Sequence, residues 1–363
     1  MQSPGIKPMT LAMLATAKIS IIWGVGDAQN RTSDNLTTAS SANSTFVRPP
    51  AFFINGFSNI PHAKYYYLFL CLVYTVTVFG NSFIMSTIYL ARRLHTAKYV
   101  AVFHLALCDI CGSSALIPKL IDMFLFDNQY VSYESCLANM FFVLHFMNLQ
   151  SFTLLILAYD RVIAICCPLK YHAIITKSSI SCILCASWIC SFILFTALVG
   201  LVNRLSFCRS IVVNSYYCEH GPVISLSCNN NSINYYLAYL FFGLLICAPV
   251  ALISISYLCI AAALLKIAHG TDRMKAMKTC TSHLALVAIF YLPILSVNVK
   301  SISTSIDPNA RIINNSLTQI IPPMLNPIIY TLKTEEVLQS IKELYKRNKV
   351  ATNAKRKNVM RNT

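Results

Sequence analysis

The sequence predicts an all-α membrane protein: a bundle of seven transmembrane helices followed by a short amphipathic helix. Three observations carry this. Only 12% of the 363 residues are charged and 56% are apolar, with a mean hydropathy of +0.58, whereas soluble domains carry about 25% charged residues. Seven apolar runs are each long enough to cross about 30 Å of hydrocarbon as a helix. The cations collect in alternate connections between those runs, the asymmetry that orients membrane proteins.

Residues 1–60 form a polar lead with one apolar piece, roughly 9–25, interrupted by Lys18. That piece is too short and mixed for a secure span. Two readings stay open: a weak signal peptide flanked by Lys7, or an upstream start, since Met9 and Met13 follow. Asn30, Asn35 and Asn43 each begin an Asn-x-Ser/Thr sequon, and three within so short a stretch point to a lumenal, glycosylated segment. The N-terminus is therefore expected outside.

The spans follow at 65–90, 99–124, 136–166, 179–202, 235–267, 277–299 and 312–332. The last is the least apolar, broken by Asn314, Asn315, Gln319, Pro322, Pro323 and Asn326. Connections expected inside carry Arg92, Arg93 and Lys98, then Lys170 and Lys177, then Lys266, Arg273, Lys275 and Lys278; the outer ones hold only Arg204, Arg209, Lys300 and Arg311. This gives an outer segment (1–60), a seven-span domain (61–333) and an inner tail (334–363). Within that tail, Val337, Leu338, Ile341, Leu344 and Tyr345 form an apolar stripe after the cap candidate Thr334, as expected of a helix on the inner leaflet.

The formal charge of +16 does not indicate nucleic acid, because the basic residues lie in separate connections and the tail rather than on one folded patch. No catalytic set, metal-ligand spacing or cofactor motif is present: His104, His145, His220 and His283 are scattered over different spans and loops. A transporter or channel would show repeats and helices broken in mid-membrane, and no repeat is found. Most of the fifteen cysteines lie inside apolar runs, where they act as small hydrophobes. Cys136, Cys208, Cys218 and Cys228 stand apart in outer positions, and four cysteines allow three pairings.

Several motifs fall on these spans in order. Leu94-His95-Thr96 precedes the second, which contains Leu105-Ala106-Leu107-Cys108-Asp109. Ala158-Tyr159-Asp160-Arg161-Val162-Ile163-Ala164-Ile165-Cys166 ends the third and is followed by Pro168-Leu169-Lys170-Tyr171. Lys275-Ala276-Met277-Lys278-Thr279-Cys280-Thr281-Ser282-His283-Leu284 opens the sixth, and Pro323-Met324-Leu325-Asn326-Pro327-Ile328-Ile329-Tyr330 closes the seventh. Together they make the chain, over about residues 51–344, resemble an olfactory receptor of the rhodopsin-like G protein-coupled receptor superfamily, in its fish-like, class I branch.

The resemblance implies roles for these residues. Arg161 is held beside Asp160 at rest and released toward a G protein when the sixth helix swings out. Val162 stands where the family's motif usually has Tyr. Asn326 and Pro327 break the seventh helix, since proline cannot donate to the i−4 carbonyl, and Tyr330 swings inward. Asp109 is an intramembrane carboxylate and a functional candidate. Its partner position on the third helix is Gln150, whose neutral amide argues against sodium regulation; the other role is hydrogen bonding toward Asn81 and Asn326. The implied disulfides are Cys136–Cys218 and Cys208–Cys228. The expected function is odorant sensing without catalysis, through a stimulatory heterotrimeric G protein that raises cyclic AMP at the plasma membrane. A non-olfactory chemoreceptor on the same scaffold is the alternative.

The ligand site is read from helical phase. Val143, Met147 and Gln150 share the inward face of Arg161, and Tyr291 and Asn298 share one face of the sixth span. Lys300 near the outer mouth reads equally as a trap for an anionic ligand or as a snorkelling lysine. The branch as a whole leans toward water-soluble, often acidic odorants.

Overall fold

The computed structural model describes residues 46–57, 63–126, 128–266, 271–303 and 308–346, so the three sequons lie outside the described residues. Seven long helices appear: α1 (Ala63–Leu90), α2 (Ala97–Leu125), α3 (Tyr133–Cys166), α4 (Lys177–Gly200), α5 (Ser232–Leu265), α6 (Thr271–Ser303) and α7 (Pro308–Lys333). A shorter helix, α8, covers 335–346. Five of them, α1 to α5, are by themselves long and apolar enough to span a membrane; α6 contributes a shorter apolar stretch at Cys280–Ser296.

Local signals set the ends. Ser132 caps α3, its hydroxyl accepting from the Ser135 amide at 3.3 Å, and Glu134 suits the positive end of the helix. Thr176 caps α4 in the same way through the Ser179 amide, at 3.1 Å. α3 is the pivot of the bundle, packing against α2, α4, α5 and α6, while α7 closes the ring against α1, α2 and α6. Outward faces of α1, α4 and α5 carry bare Leu72, Phe79, Ile189, Phe192, Leu252 and Leu258. Exposed apolar surface on this scale fits contact with lipid rather than water.

α7 stays helical through Pro322, Pro323 and Pro327. Pro327 has no N–H for the carbonyl four residues back, which belongs to Pro323. Asn81 of α1 supplies the missing donor, its Nδ2 reaching Pro323 O at 2.9 Å. Gly80 beside it must be small, because a Cβ there would stand 2.9 Å from the Pro327 ring. Asn81 thus bonds the α7 backbone, not Asp109 as the sequence reading had it.

At one end the chain forms a small cap. β1 (Ala51–Ile54) pairs antiparallel with β2 (Tyr130–Ser132) and parallel with β3 (Val212–Val213). Alternation turns Phe52 and Ile54 into the core, where Phe52 stacks on Tyr133 and meets Phe207 edge-on. The disulfides Cys136–Cys218 and Cys208–Cys228 tie the α4–α5 connection to α3 and to itself. At the other end α8 packs Val337, Ile341 and Leu344 against the core there, leaving Leu338 and Tyr345 of the expected stripe exposed.

Candidate functional site

Below the disulfide cap lies a cavity of about 340 Å³ between α3, α4, α5, α6, α7 and the α4–α5 connection. Its wall is mostly apolar and aromatic (Phe195, Tyr235, Tyr239, Phe241, Phe242, Ile294), with Asn148, Glu219, His220, Asn315, Thr318 and Gln319 among them. An apolar cleft of this size with a few convergent polar groups suits a small molecule. The roof is held in place by covalent and hydrogen bonds: Cys218 is bonded to Cys136, and its amide donates to Asn139 Oδ1 at 3.4 Å. Tyr217, Glu219 and His220 flank it in the chain and line the cavity.

Of the residues expected to line a pocket, Met147 does so. Val143 and Gln150 instead border a crevice of about 20 Å³ that shares Met147, Ile294, Thr318 and Gln319 with the cavity. Tyr291 is buried outside the lining, and the side chains of Asn298 and Lys300 lie outside the described residues. Asn148 and His220 escaped the sequence reading. Asn148 sits off the face defined by Arg161, and His220 takes its place only through the disulfide-tethered fold of its loop. An amide in the apolar run Phe146-Met147-Asn148-Leu149 was the one available signal.

The crevice leads to a polar centre. Gln150 Nε2 donates to Asp109 Oδ1 at 2.9 Å and Asn326 Nδ2 donates to Asp109 Oδ2 at 2.7 Å, so one carboxylate joins α2, α3 and α7. At the next residue of α3, Ser151 Oγ donates to the Leu245 carbonyl at 2.9 Å and lies 2.7 Å from the Tyr291 hydroxyl. Leu245 belongs to a π-helical turn at Gly243–Cys247, so Ser151 gathers α3, α5 and α6. The other histidines near the centre are structural. Trp188 donates to His104 Nε2 at 2.6 Å, leaving Nδ1 as the donor to Thr153 Oγ1 at 2.9 Å; His145 meets Ser191 at 2.8 Å and stacks on Phe141.

At the far end Arg161 Nη2 lies 3.6 Å from Asp160 Oδ2, and Tyr171 donates to Asp160 Oδ1 at 2.8 Å. Tyr257 of α5 meets His283 Nδ1 of α6 at 2.7 Å. The hydroxyl of Tyr330 is buried without a hydrogen-bond partner; such a group costs about 1–3 kcal/mol. Glu336 of α8 accepts from Tyr99 at 2.5 Å and from Lys98 at 3.0 Å, and Arg93 donates to Gln339 at 2.7 Å. Burial raises the Glu336 pKa, but Tyr99 and Lys98 outweigh it, so the net shift is downward. Stability from a depressed carboxylate is present above its unfolded pKa and lost as pH falls through the folded one. Glu336→Gln is therefore expected to lower the melting temperature at neutral pH and to shrink the loss seen on acidification. Glu343→Gln, at an exposed site, should change neither, and thermal melts of detergent-solubilised protein check both.

Among the described residues no group of three or more His, Cys, Asp or Glu is placed to hold a metal ion. The family model described as "Olfactory receptor" matches residues 70–348. The human protein "Olfactory receptor 51F2" is 35% identical over 303 residues, covering 82% of this chain and 88% of that protein. Mouse "Olfactory receptor 8C8" is 33% identical over 297 residues, 82% of this chain and 95% of its own length. Human "Olfactory receptor 5K4" is 34% identical over 294 residues, 81% and 90% respectively.

Proposed function

The chain belongs to the olfactory receptor family, and on that premise we propose that it senses a small, water-soluble odorant and activates a stimulatory heterotrimeric G protein, raising cyclic AMP. It is an odorant-sensing G protein-coupled receptor of the plasma membrane and not an enzyme. One observation supports the finer reading: a path of packed and hydrogen-bonded side chains leads from the crevice beside the cavity to α7. That path runs from Met147 and Gln150 to Asp109 and Asn326 on α7, the helix that carries Tyr330.

In this reading the N-terminus with Asn30, Asn35 and Asn43 is outside and glycosylated, and the tail is inside, supported by the loop cations. Ligand binding shifts a pre-existing equilibrium toward a state in which α6 leaves Arg161. The Tyr257–His283 bond and the Ser151–Tyr291 bond are the α6 contacts that must yield. The unpartnered Tyr330 hydroxyl gives α7 a reason to move, since any partner found on rearrangement lowers the energy of the new state.

The test is cyclic AMP in cells expressing the chain, with surface staining as control. Odorant-dependent rises confined to expressing cells support the reading. An odorant-driven current or uptake that persists in Arg161→Ala would favour a transporter instead.

A further inference from the structure

Two further Asn-x-Ser sequences lie among the described residues, Asn230-Asn231-Ser232 before α5 and Asn314-Asn315-Ser316 within α7. Both satisfy the rule for an N-glycosylation acceptor, an amide two residues before a hydroxyl. The fold separates them. Asn314 stands in a helix, its Nδ2 donating to the Pro293 carbonyl of α6 at 3.5 Å. The Ser316 hydroxyl is buried 2.6 Å from that of Tyr66, and Asn315 lines the cavity. A sugar on Asn314 has no room without parting α6 from α7.

Asn230 is the reverse case. It lies in irregular chain, and both it and Ser232 are exposed. It is the middle one of three consecutive asparagines, and the fold uses the outer two. Asn229 accepts from the Ser206 amide at 3.0 Å and donates to the Arg204 carbonyl at 2.8 Å. Asn231 donates to the Ile224 carbonyl and to Ser227 Oγ, both at 3.0 Å. Asn230 bonds only its own turn, its Oδ1 accepting from the Ser232 amide at 2.9 Å. Among the described residues no acceptor meets its Nδ2, the atom to which a glycan is joined. The segment is held at the capped end by the Cys208–Cys228 bond. It also stands clear of the bilayer. With 34 residues, α5 is about 51 Å long against about 30 Å of hydrocarbon. Tyr236 and Tyr239 are bare near its start, as in the aromatic band of a membrane interface, and Asn230 precedes that band.

Resting on the orientation that places the capped end in the secretory lumen, we propose that Asn230 carries an N-linked glycan, in addition to those on Asn30, Asn35 and Asn43. Its Nδ2 attacks the anomeric carbon of an oligosaccharide joined to a polyprenyl diphosphate. The new N–C bond forms as the C–O bond to the diphosphate breaks. The lipid diphosphate leaves with the electron pair, and the amide proton passes to a base of the lumenal transferase. The two disulfides belong to the same oxidising compartment. Transfer meets the chain before it has folded, so what the fold must supply is room for the product, and the exposed turn supplies it. The glycan then stands on the solvent side of the α4–α5 connection, five residues before Tyr235 of the cavity wall.

The experiment is the gel mobility of the full-length receptor from cultured animal cells, before and after treatment with peptide-N-glycosidase. It is read on total protein, so a variant retained inside the cell still reports. The parent is expected to shift, and the triple variant Asn30→Gln, Asn35→Gln, Asn43→Gln is expected to keep one glycan's step of mobility. Adding Asn230→Gln or, separately, Ser232→Ala removes that last step, whereas adding Asn314→Gln leaves it. Mass spectrometry of the released peptides places the site directly, because the glycosidase leaves Asp where a glycosylated Asn stood. A triple variant with no glycosidase-sensitive step, beside a parent that has one, overturns the proposal and leaves the orientation intact. A last step that survives both Asn230→Gln and Ser232→Ala overturns it as well. A parent with no sensitive form overturns the orientation itself, and the proposal with it.

Discussion

Serine in place of Cys136 is expected to leave little receptor at the cell surface. The bond to Cys218 spans 82 residues, and the chain-entropy model gives about 4.5 kcal/mol for closing a loop of that size. The geometric consequence is as large. Cys218 is the residue from which Tyr217, Glu219 and His220 are hung over the cavity, and it is buried in the core at the capped end. Without the bond the roof is held only by contacts such as the Asn139 hydrogen bond and the two ladders of β1. Cys218→Ser should match Cys136→Ser, and the double variant should be no worse than either. Cys208→Ser breaks a span of 20 residues, worth about 3.3 kcal/mol by the same model, away from the cavity wall, and should lose less surface receptor. Surface staining and glycosidase sensitivity read all four. Parent-level surface expression of Cys136→Ser would remove this bond from the account.

Asp160→Asn is expected to raise odorant-independent signalling. Asp160 is almost fully buried and carries two restraints, the Arg161 guanidinium at 3.6 Å and the Tyr171 hydroxyl at 2.8 Å. In the proposed mechanism the Asp160 charge holds Arg161 in the inactive arrangement, and an amide cancels it. Removing about 1–2 kcal/mol from one side of a two-state equilibrium changes the population ratio by about 5–30-fold. Tyr171→Phe leaves the charge pair and removes one hydrogen bond, so its basal rise should be smaller and in the same direction. Basal cyclic AMP normalised to surface receptor is the readout. Unchanged or lower basal signalling in Asp160→Asn would mean that the pair does not restrain the resting state.

How much of this was legible in the sequence follows from which forces act locally. The apolar runs of α1 to α5 are legible as helices without their neighbours, because a helix satisfies every backbone group within the segment and a barrel strand would be shorter and alternate in polarity. α7 was harder to read, since Asn314, Gln319 and three prolines interrupt it; only the α1 side chain Asn81 explains why its backbone holds at Pro323. The contacts of Asp109 were half legible. Asn326 and Gln150 were both placed beside it from the sequence and both donate to the carboxylate, whereas Asn81 bonds the α7 backbone.

The cavity was the least legible part. Phase counting from Arg161 assumes a straight helix and one inward face, yet α3 is the central helix, with neighbours on nearly every side. Met147 and Asn148, adjacent in sequence, therefore both reach the cavity, while Tyr291 is diverted to Ser151. Which polar groups line the cavity depends on every neighbour at once, so neither Asn148 nor His220 could be singled out before the fold was known. The Glu336 contacts to Lys98 and Tyr99 are equally non-local, joining residues more than two hundred positions apart.

The most direct test of the account is nucleotide exchange on a purified stimulatory G protein, driven by membranes bearing the parent receptor or Arg161→Ala at matched surface density. The account predicts agonist-dependent exchange with the parent and none above background with Arg161→Ala, because the guanidinium freed from Asp160 is the group presented to the G protein. Equal exchange from both would contradict it, leaving the seven-helix fold in place but moving the coupling site away from the Asp160–Arg161 pair.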